Sequence, residues 1–173
     1  MAFRLKFWGN RQPANGLVGT LDDADQDVQI EQSVLDHCQR WQQHGSRAPE
    51  AGGQIFGFVS PRRVEVKMAT GPYPGDERER YHYRSDPRAA QQAIYAQARQ
   101  GLLYLGEWHT HAEDIPVASI SDLDAINTLR TRSKLCTSSL LLLIVGRSEQ
   151  PTGLSLHSIG AGQKLRKWNM ASI

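Results

Sequence analysis

The chain has 173 residues, 39% of them hydrophobic and 22% charged, the balance of one globular domain and not of a disordered segment. A formal net charge of +2 excludes the general basic character that binds nucleic acid or an acidic membrane. The two cysteines, Cys38 and Cys136, form no Cys-x-x-Cys pair, which excludes a cysteine-rich zinc site, a thioredoxin motif and a disulfide scaffold. They read as buried thiols in a reducing compartment.

Taken in chain order, residues 3–8 read as an edge strand and the glycine- and asparagine-containing stretch after them as a loop. Residues 28–30 read as a short strand. Residues 31–43 carry Val34, Leu35, Cys38 and Trp41 at helical spacing. The segment 44–49, with Gly45 and Pro49, breaks that helix. Residues 53–59 and 64–70 form a hairpin around Ser60 and Pro61, and 71–80 an exposed, charged excursion that returns through a strand at 81–84.

Ser85 or Asp86 caps a second helix with Pro87 in its first turn, running to about residue 100 and packing through Ala90, Ala93, Ile94 and Ala98. A strand at 102–110, a loop at 111–118 and a third helix at 119–132 follow. Arg130, Arg132 and Lys134 fall near that helix's end, where cations suit the dipole. Leu140–Val145 and Leu154–Ile159 finish as a strand pair before a basic tail. The expected fold is α/β, a single domain over residues 1–173 with a mixed sheet and about three helices.

No segment is apolar over the length of a bilayer, and residues 1–8 lack the apolar core of a signal peptide. A soluble, cytoplasmic protein is expected, with neither a membrane nor a nucleic-acid partner.

The chemistry concentrates in residues 106–124. His109 and His111 are two apart at a strand end, so their imidazoles project from one face. Asp122 falls in the first turn of the following helix, where a carboxylate is favoured and can point back to the strand. Two imidazoles and a carboxylate suit Zn2+ and leave a position for water, whose pKa zinc lowers to about 7. Glu50, ahead of Gly52 and Gly53, is the candidate base, although spacing alone does not bring it across the fold; the glycines are expected to let the chain pass close to the metal face. Ser119 can also be read as a helix cap with Asp122 as its capping-box partner. Glu107 shares the strand face of the histidines and is a lesser candidate base or supporting group, or a solvated strand residue. Glu113 and Asp114 belong to the rim or to a solvated loop, Asp124 is structural, and Tyr104 and Trp108 are core aromatics. His37, His44, His82 and His157 read as ordinary, and residues 81–84 as either a surface strand or a groove wall.

The two half-motifs Glu50-x-Gly-Gly-x-Ile-x-Gly57 and His109-x-His111-x(7)-Ser119-x-x-Asp122 together resemble the JAMM/MPN+ (Mov34/PAD-1) metalloprotease family over about residues 28–159. The resemblance implies a cytidine-deaminase-like sandwich, zinc held by His109, His111 and Asp122, Glu50 as general acid/base, and Ser119 stabilising the tetrahedral intermediate. The stretch from Gly106 to Pro116 is most similar to a bacterial branch that includes the deconjugating isopeptidase of type II CBASS anti-phage operons. That branch implies a protein substrate with an extended C-terminal tail, a CD-NTase (cGAS-like) or ubiquitin-like conjugate, and an E1/E2-like operon partner. Ala112 and Ala118 stand where the family has prolines, which implies a loop of altered rigidity with its chemistry intact. Two rival expectations are a peptidase maturing a linear ubiquitin-like or sulfur-carrier precursor and a non-catalytic scaffold. A zinc deaminase is disfavoured because Pro-Cys-x-x-Cys is absent.

Overall fold

Six consecutive apolar residues, Leu140–Val145, can all be buried only in a strand covered on both faces, and every one of them is. The structure, a computed structural model, describes residues 16–160, 162 and 165–173. The strand expected at residues 3–8 lies outside these. The described elements are β1 (Gly16–Thr20), β2 (Asp27–Glu31), α1 (Gln32–Gln39), β3 (Gly52–Val59), β4 (Arg63–Ala69), β5 (Glu77–Glu79) and β6 (His82–Arg84). They continue with α2 (Pro87–Ala98), β7 (Leu103–Thr110), α3 (Ile120–Arg132), β8 (Leu140–Val145), β9 (Leu154–Ile159), β10 (Leu165–Lys167) and β11 (Asn169–Ser172).

Nine strands form one mixed sheet in the order β10-β9-β8-β7-β3-β4-β2-β1-β11, and β5 pairs with β6 in a separate hairpin. The β2–β4 and β7–β8 pairs are parallel and the others antiparallel. The β7–α3–β8 crossover carries the chain from the strand with both histidines to its parallel neighbour. Among the described residues a mixed α/β architecture with three α-helices is therefore observed.

Alternation along β8 divides the core. Leu141, Leu143 and Val145 join Val34, Leu35 and Cys38 of α1, together with Ile55, Leu105 and Trp108. On the opposite face Leu140, Leu142 and Ile144 pack with Ile126 of α3 and Ile159. Each such side chain contributes about 1.5–3 kcal/mol when taken from water.

Five local expectations need correction. The first helix stops at Gln39 and not at 43, because Gln42 and Gln43 send their amides away from the helix, to the carbonyls of Gly146, Ala48 and Arg80. Trp41 consequently lies beyond the helix and is 38% exposed. The small-residue face of α2 is only half-buried, and Ala98 is exposed. Cys136 is exposed, while Cys38 is buried as expected. The stretch after residue 15, read as loop, contains β1, and the basic tail supplies β10 and β11.

Those last two strands close the sheet. They are separated by Trp168 alone yet sit at opposite ends of the strand order, so the sheet must curl until its edges meet. Trp168 is buried at the seam, its backbone N–H donating to the Leu156 carbonyl (2.9 Å) and its Nε1 to Ser158 Oγ (3.0 Å).

Candidate metal centre

The register of β7 is set by a bulge at Gly106, whose φ of +149° and contact with the Leu141 backbone leave no room for a Cβ. Beyond it, Glu107 and His109 take the face opposite Trp108, which enters the core with its Nε1 donating to the Thr70 carbonyl (2.8 Å). His111 follows the strand end and is held by its N–H to the Val145 carbonyl (2.9 Å). The two imidazoles converge with Nε2 atoms 3.1 Å apart.

Ser119 caps α3, and Asp122 completes a capping box. This turns the Asp122 carboxylate toward the strand end, with Oδ1 3.3 Å from His109 Nε2 and Oδ2 3.3 Å from His111 Nε2. Ser119 Oγ donates to the same Oδ2 (2.6 Å), so the capping and site roles coincide in one side chain. Burial opposes the Asp122 charge, but hydrogen bonds from His109, His111 and Ser119 hold its carboxyl well below the usual carboxylate range. Burial likewise opposes protonation of His111, and Asp122, Glu50 and Glu113 outweigh it to raise its pKa.

Glu50 is buried immediately before β3, and both its backbone groups bond to β5. Its N–H donates to the Glu79 carbonyl (2.7 Å), and Arg78 Nε donates to its carbonyl (2.7 Å). Burial pushes the Glu50 carboxyl up to about 7; His111 opposes the shift, and Asp122 and Glu113 add to it. Gly52 is the register partner of His109, and a Cβ there would meet the Tyr83 ring and the Trp108 carbonyl, so the glycine lets β3 pass under the β5–β6 hairpin beside the strand end that carries the histidines.

Glu50, His111, Ser119 and Asp122 line one open cleft of about 270 Å³, with Ala112, Glu113 and Ser121 on the same rim. Tyr81, His82 and Tyr83 form another part of its wall, so residues 81–83 are both surface strand and groove wall, and His82 is not an ordinary surface histidine. Glu113 Oε2 stands 3.6 Å from His111 Nδ1, whereas Asp114 turns away to pair with Arg147 (2.9 Å). Asp124 is exposed, outside this cleft. Glu107 also takes no part in the cleft. Its carboxylate accepts from Tyr104 Oη and from Gln54 Nε2 (3.0 Å). Tyr104 packs on Phe56 while making that bond, as a core aromatic with its hydroxyl satisfied. His37, His44 and His157 bond to Gly71, Gln42 and Ser155, away from the cleft.

A divalent cation suits the donor set. Ligand atoms about 2.0–2.1 Å from one tetrahedral ion stand roughly 3.3 Å from each other. The 3.1 Å between the two Nε2 atoms matches that spacing, and the Asp122 carboxylate places one oxygen 3.3 Å from each imidazole, Oδ1 from His109 and Oδ2 from His111. Two imidazole nitrogens facing each other beside a carboxylate also leave lone pairs that one cation satisfies together. Sequence reasoning passed over Arg78, Glu79 and Gln43, which bind the Glu50 segment. Only Gln43 left a signal, as a polar residue within an otherwise apolar-faced stretch.

No family model matches the chain. Among curated proteins it is similar to the CD-NTase/cGAS isopeptidase of Pseudomonas aeruginosa (strain BWHPSA011 / Pa011), 34% identical over 126 residues, covering 70% of this chain and 78% of the relative. The CD-NTase/cGAS isopeptidase of Vibrio cholerae serotype O1 is 31% identical over 135 residues, covering 74% and 81%. That of Escherichia coli (strain TW11681) is 28% identical over 132 residues, covering 75% and 82%. Among solved structures, protein DSY2949 from Desulfitobacterium hafniense superposes with a TM-score of 0.58 at 19% identity, over 81% of this chain and 88% of that one, a likeness of fold alone.

Proposed function

Because the chain belongs to the CD-NTase/cGAS isopeptidase family, we propose that it hydrolyses the isopeptide bond between the C-terminus of a CD-NTase and a lysine of the protein it is attached to. In this reading it is a zinc metalloprotease of the JAMM type that reverses a ubiquitin-like conjugation in anti-phage defence. The observation that carries the reading is the convergence of His109, His111 and Asp122 at metal-ligand spacing, with His111 and Asp122 lining the same cleft as the buried Glu50.

His109, His111 and Asp122 would hold the ion. When bound, zinc supplies Lewis acidity at an open position, polarising a carbonyl and acidifying a water. Glu50 accepts the proton of the attacking water at its carboxylate and delivers it to the departing lysine nitrogen. The balance is that of hydrolysis: hydroxide adds to the carbonyl carbon, the C–N bond breaks, and a carboxylate and an amine result. Burial lifts the Glu50 carboxyl toward 7 without metal and a cation beside it would lower it again, which leaves the group ionised near neutral pH and able to accept the proton. Ser119 turns its hydroxyl from Asp122 toward the developing oxyanion. Tyr81, His82 and Tyr83 bound the channel in which an extended C-terminal tail lies.

The deciding experiment offers the purified, zinc-loaded protein a CD-NTase joined through its C-terminus to a lysine side chain, and in parallel the same junction as a linear fusion. Release from the lysine-linked conjugate is expected. Cleavage of the linear fusion alone would move the reading to precursor maturation, and binding without cleavage of either would move it to a scaffold.

A further inference from the structure

Gln43 is fully buried, and a buried amide costs several kcal/mol unless its polar atoms are bonded. Its Nε2 donates to the carbonyls of Ala48 and Arg80, each at 2.9 Å. Its Oε1 accepts from Thr110 Oγ1 (3.3 Å), and that hydroxyl in turn accepts the N–H of Ala51 (3.0 Å). The pairing is completed by Thr110 N–H, which donates to the Ala51 carbonyl (2.8 Å).

These bonds join three segments that meet at the cleft. Ala48 and Ala51 bracket Glu50. Thr110 lies between His109 and His111, with its side chain on the face of β7 away from them. Arg80 belongs to the turn of the hairpin that walls the cleft and whose β5 strand grips Glu50 through Glu79 and Arg78. Residues 40–51 have no strand or helix of their own, so the Glu50 segment is held by two backbone bonds, Glu50 N–H to Glu79 and Thr110 N–H to Ala51, and by the side-chain bonds of Gln43, Thr110 and Arg78.

We propose that Gln43 is a positioning residue for the reaction, fixing the segment that carries Glu50 to the strand that carries His109 and His111. It touches neither substrate nor metal, and the inference rests on the isopeptidase reading for its catalytic consequence. A displacement of about 1 Å between base and reacting atoms lowers rates by about 100-fold, so loosening this segment is expected to appear in kcat while the cleft still binds substrate.

The test compares Gln43→Met, which keeps the volume and removes the bonds, with Thr110→Val, which breaks the same chain from its other end. Thr110→Ser keeps the hydroxyl and is the rescue. For each, kcat and KM on the lysine-linked conjugate, zinc content, and amide hydrogen exchange at residues 48–51 and in β8 are measured. The expected result is a kcat lower by about 10–100-fold with KM within about twofold and zinc retained. Exchange at 48–51 should quicken while β8 stays protected, and Thr110→Ser should restore both readouts. Wild-type exchange at 48–51 in Gln43→Met and Thr110→Val overturns the proposal, as does a kcat loss that tracks loss of zinc. If Gln43→Met does not fold, the Thr110 pair decides. If the wild-type protein cleaves no conjugate, the isopeptidase reading falls, and the exchange measurement still judges whether Gln43 holds the Glu50 segment.

Discussion

Ser119 and Asp122 bond each other in both directions at the first turn of α3: Ser119 N–H donates to Asp122 Oδ2 at 2.7 Å, and Asp122 N–H donates to Ser119 Oγ at 3.2 Å. Because Oδ2 also faces His111, the element that starts the helix aims this carboxylate at the two histidines. Ser119→Ala should therefore act twice. Loss of the cap should cost about 1 kcal/mol of stability, and loss of the hydroxyl on Asp122 about 10–100-fold in zinc affinity. Thermal melts of the metal-free protein and competitive zinc titration separate the two effects; an unchanged zinc affinity would show that the backbone N–H alone orients the carboxylate.

Zinc held by His109, His111 and Asp122 should stabilise the fold, since it would tie the end of β7 to the start of α3 across the loop between them. At a free concentration a hundred times its dissociation constant, a ligand specific for the folded state adds about 2.7 kcal/mol. Addition of zinc should raise Tm and a chelator should reverse it, while His109→Ala combined with Asp122→Ala should abolish the response. A Tm shift that survives in that double variant would place the ion elsewhere.

How much of this was legible in the sequence depended on periodicity and locality. The burial of Leu140–Val145 on both faces, the shared face of His109 and His111, and the Ser119–Asp122 box each follow from spacing within one element, and each is observed. The Glu50 half-motif reached the site through family resemblance, because no local rule brings residue 50 to residue 109. What escaped was non-local. Closure of the sheet rests on Trp168 turning the chain between two distant partners, β9 and β1, with no periodic signal in three- and four-residue strands. The end of α1 was misplaced because Trp41 continues the helical spacing, whereas the side-chain bonds of Gln42 and Gln43 to residues up to 104 positions away decide where the helix stops.

The metal-free protein should lose stability as pH rises through the pKa of Glu107. Burial pushes this carboxyl up to about 7 from 4.5, against hydrogen bonds from Tyr104 and Gln54 and with Asp76 adding to the shift. A folded-state pKa above the unfolded one means the folded state binds the proton more tightly. The contribution is fully present below about pH 4.5 and is lost as pH rises to about 7. Glu107→Gln keeps an acceptor and removes the titration, so the difference in unfolding free energy between pH 5 and pH 8 should shrink by on the order of 2 kcal/mol. Urea unfolding of both proteins at the two pH values measures it; equal pH dependence would mean that Glu107 titrates normally.

Glu50→Gln isolates proton transfer from metal binding. Glutamine is nearly isosteric, and the bonds that hold residue 50, from Arg78 Nε to its carbonyl and from its N–H to Glu79, use only the backbone of residue 50 and survive the change. The variant should keep zinc and bind the conjugate while kcat falls by about 10²–10⁴-fold. The same role fixes the acid limb of the pH–rate profile. Glu50 must be ionised to accept a proton, so activity is lost as pH falls through its pKa. That pKa is about 7 without metal, and a cation held beside it favours the charged form, which puts the limb below that value. Near-full activity in Glu50→Gln, or an acid limb unaltered by it, would remove Glu50 from the reaction and leave Glu113, on the rim of the cleft beside His111, as the remaining carboxylate to test.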